Sequence, residues 1–240
     1  MAEATKSAHM SSMRQFKAIL KKDIVMELRT KEMLTSMGLY ALLVLVIYYV
    51  ALSQAGSGFD VTRIAGGLLW LAIVFTSLLG LNRSLVHEKD QGCLDALLLS
   101  PVDRPVIFFG KAVGNLIFLL IVEVLVTPLF MFIFNAGKYA GLATAGWIAL
   151  VLLVGSVGIA GVGTLLATMS VNTTGKDFVL AVLFIPIMFP LLLAVVAATS
   201  AILVAVPNMG VFWQMVGVAA GYDAIMLLAA YALYEFILGA

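Results

Sequence analysis

Six long apolar segments, at about 37–55, 64–82, 112–134, 142–169, 178–204 and 211–238, fill most of the 240-residue chain and are separated only by short polar breaks. Each reaches or exceeds the ~20 residues that a helix needs to cross a hydrocarbon core ~30 Å thick. Lipid offers no partner to a backbone amide, so a spanning segment must be a helix or part of a closed barrel. Barrel strands would show as ~10-residue stretches of alternating polarity, and these segments are continuously apolar. Composition agrees: 63% of residues are hydrophobic and 11% charged, with a mean hydropathy of +1.12, whereas a soluble domain carries roughly 25% charged residues. The expected fold class is an all-α integral membrane protein with six transmembrane helices.

Basic loops are retained on the cytoplasmic side of a membrane. Lys6, Arg14, Lys17, Lys21, Lys22, Arg29 and Lys31 precede the first span, Arg83, Lys89, Arg104 and Lys111 separate the second from the third, and Lys176 separates the fourth from the fifth. Twelve of the fourteen basic residues thus fall on one side, leaving Arg63 and Lys138 on the other. Both termini are expected in the cytoplasm. The net charge of +1 hides this asymmetry and gives no reason to expect a nucleic-acid partner.

The first 35 residues are polar and basic, with no apolar stretch or small-residue cleavage site of a signal peptide, so the first span is expected to stay uncleaved. Residues 1–11 are small and polar and are expected to form a disordered tail. Over 12–36, Met13, Phe16, Leu20, Ile24 and Leu28 recur at spacings of three and four, with Lys17, Lys21, Lys22 and Arg29 on other faces. That pattern predicts an amphipathic interfacial helix, apolar toward the acyl boundary and basic toward anionic membrane lipid. It serves either as a topological anchor or as an elbow helix that helps to dock a cytoplasmic partner. Residues 37–238 are then expected to make up a six-helix membrane domain, with a cytoplasmic loop at 83–111.

Little in the chain points to chemistry of its own. Cys93 is the single cysteine, which excludes an internal disulfide or a two-cysteine metal site, and His9 and His87 are the only histidines, both outside the spans and the outer loops. No phosphate-binding GxxxxGK[ST], serine nucleophile elbow or HExxH occurs. No catalytic residue, metal site or directly bound cofactor is expected, and any ATP hydrolysis belongs to another chain.

The loop between spans two and three is the most informative. Glu88 and Asp90 precede Gly92, which punctuates two helical stretches, and Leu94, Leu97 and Leu98 form an apolar stripe that ends near Pro101. A short helix with one apolar face and flanking acids suits docking of a soluble partner; a surface helix that merely caps the bundle has the same pattern.

The run Leu81-Asn-Arg-Ser-Leu-Val-His-Glu-Lys-Asp-Gln-Gly-Cys-Leu-Asp-Ala-Leu-Leu-Leu-Ser-Pro, with Lys111 opening the next span, resembles the CcmB or haem exporter B family of cytochrome c maturation permeases, within the type-2 ABC exporter permeases. The resemblance covers about 13–238 and is strongest at 66–111. It rests on Arg83, Glu88, Gly92, Leu94, Asp95, Leu97 and Pro101, whereas Leu85 stands where an aromatic is common, Gln91 where an acid often precedes the glycine, and Asp95 where glutamate is usual.

The resemblance implies a non-catalytic permease subunit in the inner membrane of a bacterium, expected as a homodimer, that couples to a CcmA-like ABC ATPase. The coupling residues would be Arg83, Glu88, Asp90, Gly92, Leu94, Asp95, Leu97 and Pro101. Further partners would be a CcmC-like haem-handling membrane protein and a CcmE-like periplasmic haem chaperone, with ATP at the partner subunit and haem as cargo of the complex. With no histidine in the spans, release of the loaded chaperone is favoured over passage of haem through this chain. The rival readings are an ordinary type-2 ABC exporter of a lipid, drug or ion, and a scaffold for haem-handling proteins that transports nothing.

Within the spans, Glu123 and Asp223 stand out, because an ionised acid at mid-span costs roughly 2.5–3.5 kcal/mol. They form part of a polar path, or they are interhelical hydrogen-bonding groups. Ser156, Ala160, Gly163 and Ala167 place small residues on one face of span four, and Gly217 with Gly221 forms a GxxxG in span six, both suited to close helix packing. Pro128, Pro186 and Pro190 are expected to bend their helices, and Trp213, Tyr231 and Tyr234 to sit in aromatic belts.

Overall fold

The computed structural model describes residues 12–54, 61–90, 104–134, 142–170, 176–204 and 206–237. Among these residues the chain forms seven helices and no strand: α1 (Ser12–Thr30), α2 (Glu32–Ser53), α3 (Thr62–Asp90), α4 (Arg104–Ile133), α5 (Leu142–Ser170), α6 (Lys176–Ile202) and α7 (Met209–Ile237). α2 to α7 each contain a stretch long and apolar enough to cross a membrane. At 1.5 Å per residue the shortest, α2 with 22 residues, is about 33 Å long. The protein is a multi-pass membrane protein of the class its hydropathy predicts.

α5 occupies the centre and packs against α3, α4, α6 and α7, while α1 lies against α4 and touches the start of α2. The run from Gly155 to Gly163 explains why α5 is central, because it leaves gaps that larger neighbours fill. A Cβ on Gly155 would overlap the ring of Trp70 from α3, and one on Gly163 would overlap Leu81. Trp70 is 1% exposed, and its Nε1–H donates to Thr199 Oγ1 on α6 at 2.9 Å. Thr199 in turn donates to the Val195 carbonyl at 2.7 Å. A buried indole needs such a partner, so one residue nests in α5 and pins α3 to α6. Ser156, Ala160, Gly163 and Ala167 are all buried, in keeping with the packing face read from span four.

Between α1 and α2 the chain turns at Lys31, the one non-glycine residue with positive φ among those described (φ 55°). The turn is held from both sides. Lys31 N donates to the Glu27 carbonyl at 2.7 Å, and the Glu27 carboxylate accepts from Leu34 N in the first turn of α2 at 2.8 Å. A capping oxygen, normally supplied by the residue just before a helix, comes here from the preceding helix. At the other end of the molecule, Asn208 Oδ1 caps α7 through Val211 N at 3.1 Å.

Several expectations need correction. The amphipathic helix ends at Thr30, and the first spanning helix begins at Glu32 rather than near 37. Gly217 and Gly221 are exposed, and a Cβ on either would meet no atom within 4 Å, so this GxxxG brings no helix of the same chain close. Tyr234 is 1% exposed, packed on Phe108, and lies in no aromatic belt. Trp213 and Tyr231 are about half exposed, as a belt requires. Pro128, Pro186 and Pro190 all lie inside helices that continue past them. Beside the last two, the Ile187 carbonyl accepts a hydrogen bond from Tyr222 of α7.

Candidate functional site

Two regions carry the polar residues that a membrane interior does not tolerate idly: the end of the bundle where α1 docks, and the middle of α5.

α1 meets the first turns of α4 through a face that its apolar stripe does not mark. Gln15, Ile19 and Glu27 are buried, and Asp23, on the same four-residue spacing, is 10% exposed. Met13 and Leu28 are exposed, and Phe16, Leu20 and Ile24 are half-buried. The polar stripe therefore faces the bundle, and the apolar stripe lies beside it, with Leu20 and Ile24 partly packed against the bundle and Met13 and Leu28 exposed. Gly110 and Gly114 form the seat on α4: a Cβ on Gly110 would press within 2.9 Å of Ile19, and one on Gly114 would lie 3.8 Å from Asp23. Between the two glycines, Lys111 Nζ meets Asp23 Oδ2 at 2.9 Å, and Lys22 approaches the other carboxylate oxygen at 3.1 Å. Lys111, read from the sequence as a cytoplasmic loop residue opening the span, is 2% exposed and lies two turns inside α4.

The 83–101 segment read from the sequence as a coupling candidate precedes this dock along the chain. α3 continues as helix for eight residues beyond its apolar stretch Ile64–Asn82, which places Arg83, Glu88 and Asp90 on its extension. Their side chains are not among those described, and Gly92, Leu94, Asp95, Leu97 and Pro101 lie outside the described residues. α4 resumes at Arg104, so the loop is followed directly by the turns that hold α1.

In the membrane interior, Ser156 Oγ donates to Glu123 Oε1 at 2.6 Å, an α5-to-α4 bond of the interhelical kind. Asp223 of α7 reaches α5 where residue 158 is glycine, since a Cβ there would overlap its carboxylate. Residues 156 and 158 differ by about 3 Å along a helix axis and about 200° around it. The two acids therefore sit at one depth, near the midpoint of the Ala143–Ser170 span, on opposite sides of α5. The structure does not bring them together. Glu123 Oε2 and Asp223 Oδ1 are buried without a hydrogen-bond partner, as are Thr76 Oγ1 and Thr127 Oγ1.

One feature went unread in the sequence. Lys111, Asn115, Leu119, Glu123 and Thr127 recur every fourth residue and form a single buried ridge along α4. Asn115 Nδ2 donates to Thr164 Oγ1 of α5 at 2.9 Å, one step from the Lys111 end. The signal was a polar residue at four of five such positions within an apolar span, diluted by the surrounding leucine, valine and phenylalanine. Among the described residues no group of three or more His, Cys, Asp or Glu side chains is placed to hold a metal.

This chain is similar to known proteins over most of its length. The model of the CcmB protein family matches residues 14–235. Heme exporter protein B of Rhodobacter capsulatus is 28% identical over 153 residues, covering 64% of this chain and 68% of the relative. Heme exporter protein B of Bradyrhizobium diazoefficiens is 27% identical over 149 residues, covering 62% and 65%. The matched stretch thus spans about two thirds of each relative. With a family match over 14–235 and six apolar helices laid out as that resemblance implies, the chain belongs to the CcmB protein family.

Proposed function

We propose that this chain is the membrane permease subunit of an ABC-type complex in cytochrome c maturation, a non-catalytic partner of a separate CcmA-like ATPase. Family membership over 14–235 is the observation that carries the reading, and the name of the two relatives, heme exporter protein B, supplies haem as the cargo of the complex. The charge asymmetry supports an inner-membrane protein with both termini in the cytoplasm. The 83–101 segment would take the push of ATP-driven closure in each half of a homodimer, and the α1–α4 dock, which follows it directly, would receive that movement.

In this reading the coupling ends in release of a haem-loaded, CcmE-like periplasmic chaperone, with a CcmC-like protein handling the haem. Neither histidine of the chain lies in a span, the position needed to ligate haem in transit. Mass spectrometry of whatever co-purifies with the C-terminally tagged chain from native membranes tests the assignment. An ABC ATPase recovered together with haem-handling membrane proteins supports it, and an ATPase alone moves it to a general exporter. Cytochrome c maturation that persists with a hydrolysis-dead ATPase would make the chain a scaffold.

A further inference from the structure

The docking of α1 sorts its charges by sign. Both acids of the helix turn toward the bundle: Asp23 pairs with Lys111 of α4, and Glu27 is buried and caps α2. Arg14, Lys17, Lys21, Lys22 and Arg29 are all exposed, so the outward surface of α1 is basic throughout. Arg14, Lys17 and Lys21, at spacings of three and four, form one row along that surface. No acid stands three or four residues from any of them, and like charges one turn apart oppose helix formation. Among the described residues the ion pairs of α1 run through Asp23, to Lys22 and Lys111, and leave this row outside. The counter-charge that the row needs therefore lies beyond this helix.

The row stands at the level of the lipid headgroups. Ile19, between Lys17 and Lys21, seats on Gly110 of α4. The adjoining Phe109 packs on Tyr231 of α7, with ring centroids 6.1 Å apart, and both rings are partly exposed, as in an interfacial aromatic belt. α1 then turns at Lys31 directly into Glu32, where the first spanning helix begins. Apolar side chains flank the row on the same outward surface: Met13, one turn before Lys17, is 62% exposed, and Leu28, two turns after Lys21, is 59% exposed. Cations beside exposed apolar side chains at this depth match the two halves of a phospholipid, its phosphate and the start of its acyl chains. A free phosphate would leave the apolar flank uncovered.

We propose that the Arg14–Lys17–Lys21 row is a binding site for an anionic phospholipid headgroup. The lipid holds α1 to the membrane from outside, while the Asp23–Lys111 pair holds it to α4 from inside. What distinguishes this site from a generally basic surface is the inward turn of Asp23 and Glu27, which removes the acids that would compete with the lipid for the row. The proposal does not depend on the assignment to cytochrome c maturation.

The test is native mass spectrometry of the full chain released from nanodiscs of phosphatidylglycerol and phosphatidylcholine in equal parts. The first lipid retained by the parent protein is expected to be enriched in phosphatidylglycerol. Arg14→Gln, Lys17→Gln and Lys21→Gln are each expected to lower that enrichment about fivefold, the weight of one cation beside an anionic membrane surface. Glutamine keeps the helix propensity of the residues it replaces, and Lys17→Arg and Lys21→Arg should retain the enrichment. Arg29→Gln, outside the row, should change it little. Equal retention of the two lipids by the parent protein overturns the proposal and leaves this face to an acidic soluble partner. Enrichment that survives the triple glutamine variant overturns it too, as does a loss from Arg29→Gln as large as those within the row. Displacement of phosphatidylglycerol by inorganic phosphate would make the row a site for a free anion and overturn the lipid assignment.

Discussion

Lys111 of α4 and Asp23 of α1 form an ion pair of 2.9 Å, in which the lysine is 2% exposed although it stands at the mouth of a membrane span. A lysine so placed would be costly alone. Its partner comes from a helix outside the six spans, so the amphipathic helix is part of the bundle as well as an attachment to the membrane surface. Removing one member of a buried pair leaves an uncompensated charge, at a cost of about 3 kcal/mol. Lys111→Met and Asp23→Leu are each expected to lower Tm in detergent, and the double variant to recover much of the loss, as a thermal unfolding cycle would reveal.

The elbow between α1 and α2 depends on Glu27, whose carboxylate caps α2 at Leu34 N. Glu27→Ala should cost about 1 kcal/mol, the usual weight of a lost cap, whereas Glu27→Gln keeps the accepting oxygen and most of the stability. Limited proteolysis near Lys31 checks this, since the alanine variant alone should be cut faster.

Trp70 rests on Gly155, with no space for a side chain between them. Gly155→Ala is expected to destabilise the protein by about 1–3 kcal/mol through overpacking and to displace the indole from Thr199. With Trp147 and Trp213 replaced by phenylalanine, the emission of Trp70 reports that displacement directly. An unchanged spectrum and Tm would show that α5 does not need the glycine there.

Gly217 and Gly221 present an open face of α7. Leucine at both positions should lower the stability of the isolated chain by no more than about 0.5 kcal/mol, as for surface changes away from packed features. Loss of stability comparable to that of Gly155→Ala would contradict the exposed placement.

The proposed coupling role of 83–101 gives a functional prediction. Gly92→Pro and Asp95→Arg should abolish cytochrome c maturation while the chain remains in the membrane at normal abundance. Immunoblotting of membranes beside haem staining of cytochromes c separates the two effects, and normal cytochrome yield in both variants would remove 83–101 from the coupling role.

The sequence by itself determined the class, the number of spans and the family resemblance, because spanning helices are dictated by length and apolarity and need no knowledge of neighbours. It also exposed Glu123 and Asp223, since an acid in an apolar run is conspicuous wherever it points. Rotation and pairing of the helices were decided only by the tertiary structure. In lipid both faces of a span are apolar, so hydropathy does not say which face is inward, and two GxxxG stretches with the same pattern ended differently: Gly110 and Gly114 seat α1, whereas Gly217 and Gly221 touch nothing. The same indifference hid the dock of α1, whose apolar stripe was legible while its buried Gln15–Ile19–Asp23–Glu27 face was not. That face becomes an inward one only because Lys111 waits for Asp23 between two glycines of another helix, 88 residues along the chain.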